Sequence, residues 1–327
     1  MRPVDDLELA RPTTLEDAVA LLARDGARLV AGGTDLLPNL RRGLLEPRCL
    51  VDLSAVAGFD AIEARPAGWR LGAGATLAAL ARHTTLGQAL PALAQAAGQV
   101  AGPAHRSAAT LGGNLCQDTR CVFYNQSEWW RQANGGCLKL RGDTCHVAPN
   151  GKRCHAAFEG DLAPALLAYG AEVEIVGPAT SARRPLADLY RDDGAAHIAL
   201  GSGEIVAAVH VPAPTAGAAS AYRKARARGA MDFPLAGVAV ALRMQGQAIA
   251  ELAVAISGTN PRPLRLEGTE ALLGGPVDDA LLQALSKLVQ KQVAPMRSTV
   301  TASHYRRLVA ATLARRLVRE LAGAPDA

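Results

Sequence analysis

The sequence predicts an α+β protein in two parts, and three observations carry that prediction. Its first two hundred residues mix short strand-like and helix-like patterns, with glycine turns at their junctions. A run of Pro, Ala, Gly and Ser (PAPTAGAAS, after Val211) then interrupts the pattern as a linker does. Beyond it come two long apolar strand patterns and two helical ones. The expected parts are residues 1–215, with an irregular insertion at about 115–160, and residues 216–327.

Element by element, the first fifty residues read as helix, strand, turn, helix, strand. Thr13 with Glu16 has the spacing of a capping box ahead of LEDAVALLA, and Gly26 closes that helix. The strand ARLVA runs straight into Gly32-Gly33-Thr34-Asp35, a helix follows at Leu36 to Arg42, and a strand at Cys49 to Leu53. A hairpin turning at Pro66 to Gly68 leads to a glycine turn at Gly72 to Gly74 and a helix opened by Thr76. Leu86 to Val100 reads as one Ala-rich helix, followed by the turn Thr110-Leu111-Gly112-Gly113-Asn114. In the second part, strands are expected in FPLAGVAVALRM and IAELAVAISG, joined near Gln245 to Gln247, and helices at Asp278 to Gln292 and His304 to Ala322.

Composition narrows the class. At 327 residues the chain is long enough for two or three domains, and with 49% hydrophobic but 4% aromatic residues its interior must be built from Ala, Leu and Val. The longest apolar runs, such as Leu235 to Leu242, fall far short of the ~20 residues of a membrane span. The N-terminal MRPVDDLELARP has acidic residues where a secretory leader needs a basic and then an apolar run, so a cytoplasmic protein without a membrane partner is expected. The net charge of +5 is scattered. Its densest group, Arg223 to Arg228, lacks interleaved aromatics and reads as a solvated or partner-docking face rather than a nucleic-acid site.

Two features carry chemistry. A strand that delivers its chain into Gly-Gly-Thr offers backbone N–H groups to phosphate oxygens with no side chain in the way. The GxGxxG of a dinucleotide site is absent, so the turns alone do not name a cofactor. The second feature is a stretch of irregular sequence with four cysteines, Cys121, Cys137, Cys145 and Cys154, spaced Cys-x15-Cys-x7-Cys-x8-Cys. In the cytoplasm clustered thiols favour metal or redox chemistry over disulfides. The spacing has neither the close pair usual for structural zinc nor the tight bacterial ferredoxin run, and leaves zinc, an iron–sulfur cluster and free thiols open. His146 and His155 each follow a cysteine, and Cys49 and Cys116 read as packed thiols.

LVAGGTDL (29–36) together with AATLGGNLC (108–116) resembles the FAD-binding subunits of the xanthine dehydrogenase, or molybdenum hydroxylase, family. GDLAPALLAYGAEVEI, EIVAAVHVP, AYRKARARGAMDFPLAGVAVAL and ISGTNPRPLR extend the likeness over essentially the whole chain. It implies a two-part FAD-binding domain of the PCMH type followed by a smaller α+β domain like the C-terminal one of CO dehydrogenase flavoproteins. By resemblance, Leu29, Val30, Ala31, Gly32, Gly33, Thr34, Asp35 and Leu36, with Thr110, Leu111, Gly112, Gly113 and Asn114, wrap the FAD pyrophosphate. Val100 and Val206 lie near the isoalloxazine, Asp161 bonds the nucleotide portion, and Arg223 or Lys224 brings a cation to the flavin. Asp161 also stands where a helix N-cap would, ahead of LAPALLAYG.

Most flavin subunits of that family pass directly from the Gly-Gly-Asn turn to the Asp161 segment. The inserted cysteine loop resembles that of the 4-hydroxybenzoyl-CoA reductase branch, where such a loop holds an additional 4Fe–4S cluster. The resemblance implies Cys121, Cys137, Cys145 and Cys154 as its ligands. It also implies a molybdopterin-containing large subunit and a 2Fe–2S small subunit, joined as a dimer of heterotrimers. Electrons from ferredoxin would then remove the hydroxyl of 4-hydroxybenzoyl-CoA in anaerobic aromatic degradation, with no catalytic acid or base in this chain. An oxidising, NAD-reducing hydroxylase and a zinc-stabilised nucleotide-binding module are the alternative expectations.

Overall fold

The computed structural model describes residues 7–179 and 181–323; the six N-terminal residues on which part of the leader argument rests lie outside them. Three sheets organise the described residues. The first is parallel, with β1 (Glu8–Ala10), β3 (Cys49–Asp52) and β2 (Ala27–Val30) in that spatial order. Helix α1 (Leu15–Leu22) connects β1 to β2, and α2 (Leu36–Arg41) connects β2 to β3. The cap of α1 is Thr14, whose hydroxyl accepts the Asp17 amide, so the expected Thr13–Glu16 box is displaced by one residue. Asp17 supplies the same acid three positions on, which is why the pattern fits in both registers.

The second sheet is antiparallel, ordered β4 (Ile62–Arg65), β5 (Gly68–Gly72), β8 (Ile205–Pro212), β6 (Glu172–Val176), β7 (Ser181–Pro185). Seven helices lie between β5 and β6: α3 (Leu77–Arg82), α4 (Thr84–Ala89), α5 (Pro91–Gln99), α6 (Pro103–Ala108), α7 (Leu111–Leu115), α8 (Glu128–Ala133) and α9 (Leu162–Ala168). The single helix expected over 86–100 is two, because Pro91 has no amide to continue α4 and instead opens α5. The Thr110–Asn114 turn is the start of a helix: the Thr110 hydroxyl accepts the Gly113 amide and its carbonyl accepts the Asn114 amide.

The third sheet is antiparallel, ordered β12 (Leu264–Arg265), β11 (Ala248–Ser257), β10 (Ala236–Gln245), β9 (Ala218–Ala225). Alternation along β10 assigns its two faces. Val238, Val240 and Leu242 pack toward α10 (Asp279–Gln292) and α11 (Ser303–Leu321), while Ala239 joins the core containing α5 and α9. The last residues of the presumed linker, Ala218 to Ser220, already belong to β9. This is the α+β fold expected of a flavoprotein subunit with a smaller C-terminal α+β domain. Every residue of α9 is buried, so its N-terminus is held rigidly against the sheets and fixes what lies beside it. Among the described residues no helix is long and apolar enough to cross a membrane.

Candidate functional site

A cavity of about 670 Å³ opens where the end of β2, the start of β8 and the loop after β9 converge. Its walls include Leu29 through Leu36, Val100, Thr110, Gly112, Gly113, Asn114, Asp161 and Val206. Close backbone approach explains the glycines. A Cβ on Gly32 would fall 1.9 Å from the Ala108 carbonyl oxygen, and Gly33 holds φ +67. Among the described residues no acceptor takes the amides of Gly33 or Thr34, so that turn keeps its donors for a ligand. The second turn differs. The Leu111, Gly112 and Gly113 amides go to the Ala75 carbonyl, the Ala73 carbonyl and the Thr110 hydroxyl, so it offers shape more than donors. Leu111 itself is wholly buried in the core and does not line the cavity.

Asp161 does not cap α9 with its side chain. Asn114 does the nearest equivalent work, its Oδ1 accepting the Leu162 amide at 3.1 Å. The Asp161 carboxylate instead accepts the Tyr222 hydroxyl at 2.5 Å and pairs with the Lys224 ammonium at 3.1 Å, with almost no exposure of either charge. Burial pushes the Asp161 carboxyl up, against the pull of Lys224. Arg223 lies on the other side of β9 and pairs with Glu320 of α11 at 2.9 Å. Neither cation lines the cavity itself, but Lys224, and not Arg223, stands directly behind its wall, paired with the lining residue Asp161.

Several cavity residues carried no sequence signal. Glu159 is buried beside Asp161, and burial pushes its carboxyl up to about 7 although Arg306 and Arg120 oppose the shift. Two acids flanking Gly160 ahead of a buried helix were the one available hint. Arg120 lies 5.0 Å from the Phe233 ring centroid and pairs with Asp35, so it closes one end of the cavity. Cys116 also lines it, a packed thiol that burial pushes up to about 12.

The four clustered cysteines meet. Cys121, Cys137, Cys145 and Cys154 line one void of about 10 Å³, walled by Phe123, Tyr124, Val147 and Ala156. Little regular structure brings them there. Backbone bonds between Arg120 and Ala157 clamp the ends of the loop at 2.7 and 2.8 Å. Gly136, at φ +73, allows the tight turn that presents Cys137. The buried Arg131 of α8 donates to the Arg42 carbonyl and anchors the loop to the end of α2. The Phe123 and Tyr124 amides hydrogen-bond the Cys121 sulfur, and the Ala156 amide reaches the Cys154 sulfur at 3.4 Å.

Burial pushes the Cys121 thiol up and the Cys154 thiol up to about 12, so neither would ionise here without a bound cation. Amide bonds to sulfur spread the charge of a metal-bound thiolate. No three His, Cys, Asp or Glu side chains among the described residues stand close enough to hold a single metal ion. Four thiols lining one void are a donor set that zinc and iron–sulfur centres both use. His146 stacks on Phe123 at 5.2 Å and bonds the Gly136 carbonyl, so it braces the loop.

Residues 5–214 match the model of the FAD-binding domain in molybdopterin dehydrogenases, and residues 220–321 that of the CO dehydrogenase flavoprotein C-terminal domain. The chain is 35% identical over 278 residues to the aldehyde oxidoreductase FAD-binding subunit of Escherichia coli, covering 80% of this chain and 83% of that one. It is 28% identical over 312 residues to the carbon monoxide dehydrogenase medium chain of Afipia carboxidovorans, covering 94% of each. A solved Cu,Mo-CO dehydrogenase in its cyanide-inactivated form superposes with a TM-score of 0.81 at 26% identity, over 99% of both chains.

Proposed function

Because the chain belongs to the FAD-binding subunits of the xanthine dehydrogenase and CO dehydrogenase family of molybdenum enzymes, we propose that it relays electrons between FAD and a 4Fe–4S cluster. The observation that carries this is the convergence of Cys121, Cys137, Cys145 and Cys154 on one buried void, next to the glycine-turn cavity. As in CO dehydrogenase, the subunit works in a complex with a large and a small subunit. The large one would carry molybdopterin and the small one a 2Fe–2S centre, in a dimer of heterotrimers in the cytoplasm.

The bound flavin would supply the two-electron chemistry, and this chain's own residues bind and position it. The free amides of Gly33 and Thr34 would take pyrophosphate oxygens. Val100 and Val206 give the apolar wall for the ring, and the Asp161–Lys224 pair holds a fixed dipole at the nucleotide side. The four cysteines would ligate the cluster, while Cys49 and Cys116 stay packed.

For the overall reaction, the inserted cysteine loop supports reductive dehydroxylation of 4-hydroxybenzoyl-CoA with ferredoxin as donor. A second reading is oxidation, with electrons leaving an aldehyde or a hydroxylated substrate through the flavin. The relatives favour it, since they are subunits of an aldehyde oxidoreductase and a carbon monoxide dehydrogenase. The test is to purify the complex anaerobically, count iron, sulfide and FAD, and assay both directions. Serine at Cys121, Cys137, Cys145 or Cys154 should remove iron and sulfide, whereas serine at Cys49 or Cys116 should not. Equal loss from Cys116→Ser and Cys121→Ser would sink the ligand assignment. Viologen- or ferredoxin-driven dehydroxylation without aldehyde oxidation would select the first reaction, and the reverse pattern the second.

A further inference from the structure

The partition between the two cavities is made of very few side chains, and its charge is unusual. Lys139 and Tyr124 line both the glycine-turn cavity and the cysteine void. The Lys139 side chain is only 6% exposed, and its ammonium lies 4.4 Å from the Tyr124 ring centroid and 2.5 Å from an Asp118 oxygen. It also bonds the Thr119 hydroxyl and carbonyl. The Tyr124 hydroxyl shares the Asp118 carboxylate. Asp118 in turn donates its backbone N–H to the Asp35 carboxylate at 2.9 Å, and Asp35 belongs to the Gly32–Asp35 turn. A continuous polar chain therefore runs from the cysteine void to the phosphate-side turn, with one buried cation at its centre.

A buried ammonium has a cost in lost hydration that packing alone does not require, since a Met or Leu would fill the same space. Its position gives it a use. Low-dielectric surroundings extend the reach of its field to both sides of the partition. Charge near an iron–sulfur centre or a flavin is one of the means by which a protein sets their potentials.

We propose that Lys139 is a positioning charge common to both redox sites, raising the potentials of the cysteine-held centre and of the flavin together, and that Asp118 moderates it. The inference rests on the proposed cluster for its first half and only on the flavin cavity for its second. Adding an electron to either site increases negative charge beside the ammonium. Removing the cation makes reduction harder on both sides of the wall, and removing its carboxylate partner makes it easier.

The test uses the intact complex with its partner subunits. Iron, sulfide and FAD are counted first, and both centres are then titrated anaerobically, the cluster by electron paramagnetic resonance and the flavin by absorbance. Lys139→Met should lower both midpoint potentials, and Asp118→Asn should raise both, with cofactor contents unchanged. A merely structural role would alter contents or folding without producing shifts of opposite sign. If Lys139→Met fails to load iron, the Asp118→Asn variant and the flavin titration still decide. Unchanged potentials in both variants, or shifts in the same direction, overturn the inference. Wild-type complex without iron or sulfide would instead overturn the proposed cluster, while the flavin shifts would still report on Lys139.

Discussion

The glycine-turn cavity draws its walls from stretches far apart in the chain, around residues 29–36, 100–118, 159–161, 205–206 and 231–233, set by two sheets and a buried helix. The cysteine void beside it comes from one stretch, 121–156, with a single short helix. The first is shaped by backbone approaching backbone, so adding one carbon disrupts it. The second is shaped by side chains and by whatever they ligate, so removing one atom, a sulfur, disrupts it. Two neighbouring sites thus fail by opposite kinds of substitution.

The largest effect should come from Gly32→Val. Its Cβ would sit 1.9 Å from the Ala108 carbonyl oxygen, and backbone cannot yield as a flexible side chain does. The turn must move as a unit, so the variant should purify without FAD and in poor yield, while iron and sulfide in any recovered protein stay near the wild-type level. At Gly33 the obstacle is the tip of Leu37 at 2.9 Å together with φ +67, and at Gly113 only the Thr110 hydroxyl at 3.0 Å. Flavin loss should therefore rank Gly32, Gly33, Gly113. Full flavin occupancy in Gly32→Val would remove the basis of the contrast.

A smaller but measurable effect is expected at the Asp161–Lys224 pair. Lys224→Met leaves the Asp161 carboxylate buried with Tyr222 as its one remaining side-chain hydrogen-bond partner among the described residues, a situation that costs about 3–5 kcal/mol. The double variant Asp161→Asn, Lys224→Met should recover much of that loss, because no lone charge remains. Denaturant melts read both quantities. Equal stability of the single and double variants would show that the pair is not electrostatically coupled. Arg223→Met, by contrast, breaks an exposed pair with Glu320 and should cost no more than about 1 kcal/mol.

The two sites also differ in how far sequence reveals them. Gly32 to Asp35 was legible because glycines at a strand end announce close approach, whereas Thr110 to Asn114, read as a turn, is the start of α7; α3 began at Thr76 as its cap predicted. The four cysteines were legible as a set, but their meeting was not, since an irregular loop has no period from which to infer spacing. Arg131 carried no signal in the sequence and is the buried anchor of the insertion. Lys224 and Arg223 were indistinguishable until β9 fixed which face each occupies. Glu159 was missed because its significance comes from burial by distant elements, which no local pattern encodes.

Glu159 provides the most selective prediction. Its carboxyl is raised from an ordinary value of 4.5 to about 7, chiefly by burial. The unfolded chain therefore releases this proton first as pH rises, and in that window the folded state holds more protons. Stability from this group is fully present below about pH 4.5 and falls until about pH 7, by about 3 kcal/mol across the window. His155 and His197 act in the opposite sense, since burial lowers both and stability from them rises with pH. The raw melt therefore mixes signs, and the informative quantity is wild type minus Glu159→Gln. That difference should decline steadily from pH 4.5 to 7 and be flat beyond it. A difference curve that stays level throughout would mean that Glu159 is already ionised in the folded protein. Its place beside the cavity would then add a fixed negative charge close to the site assigned to a pyrophosphate.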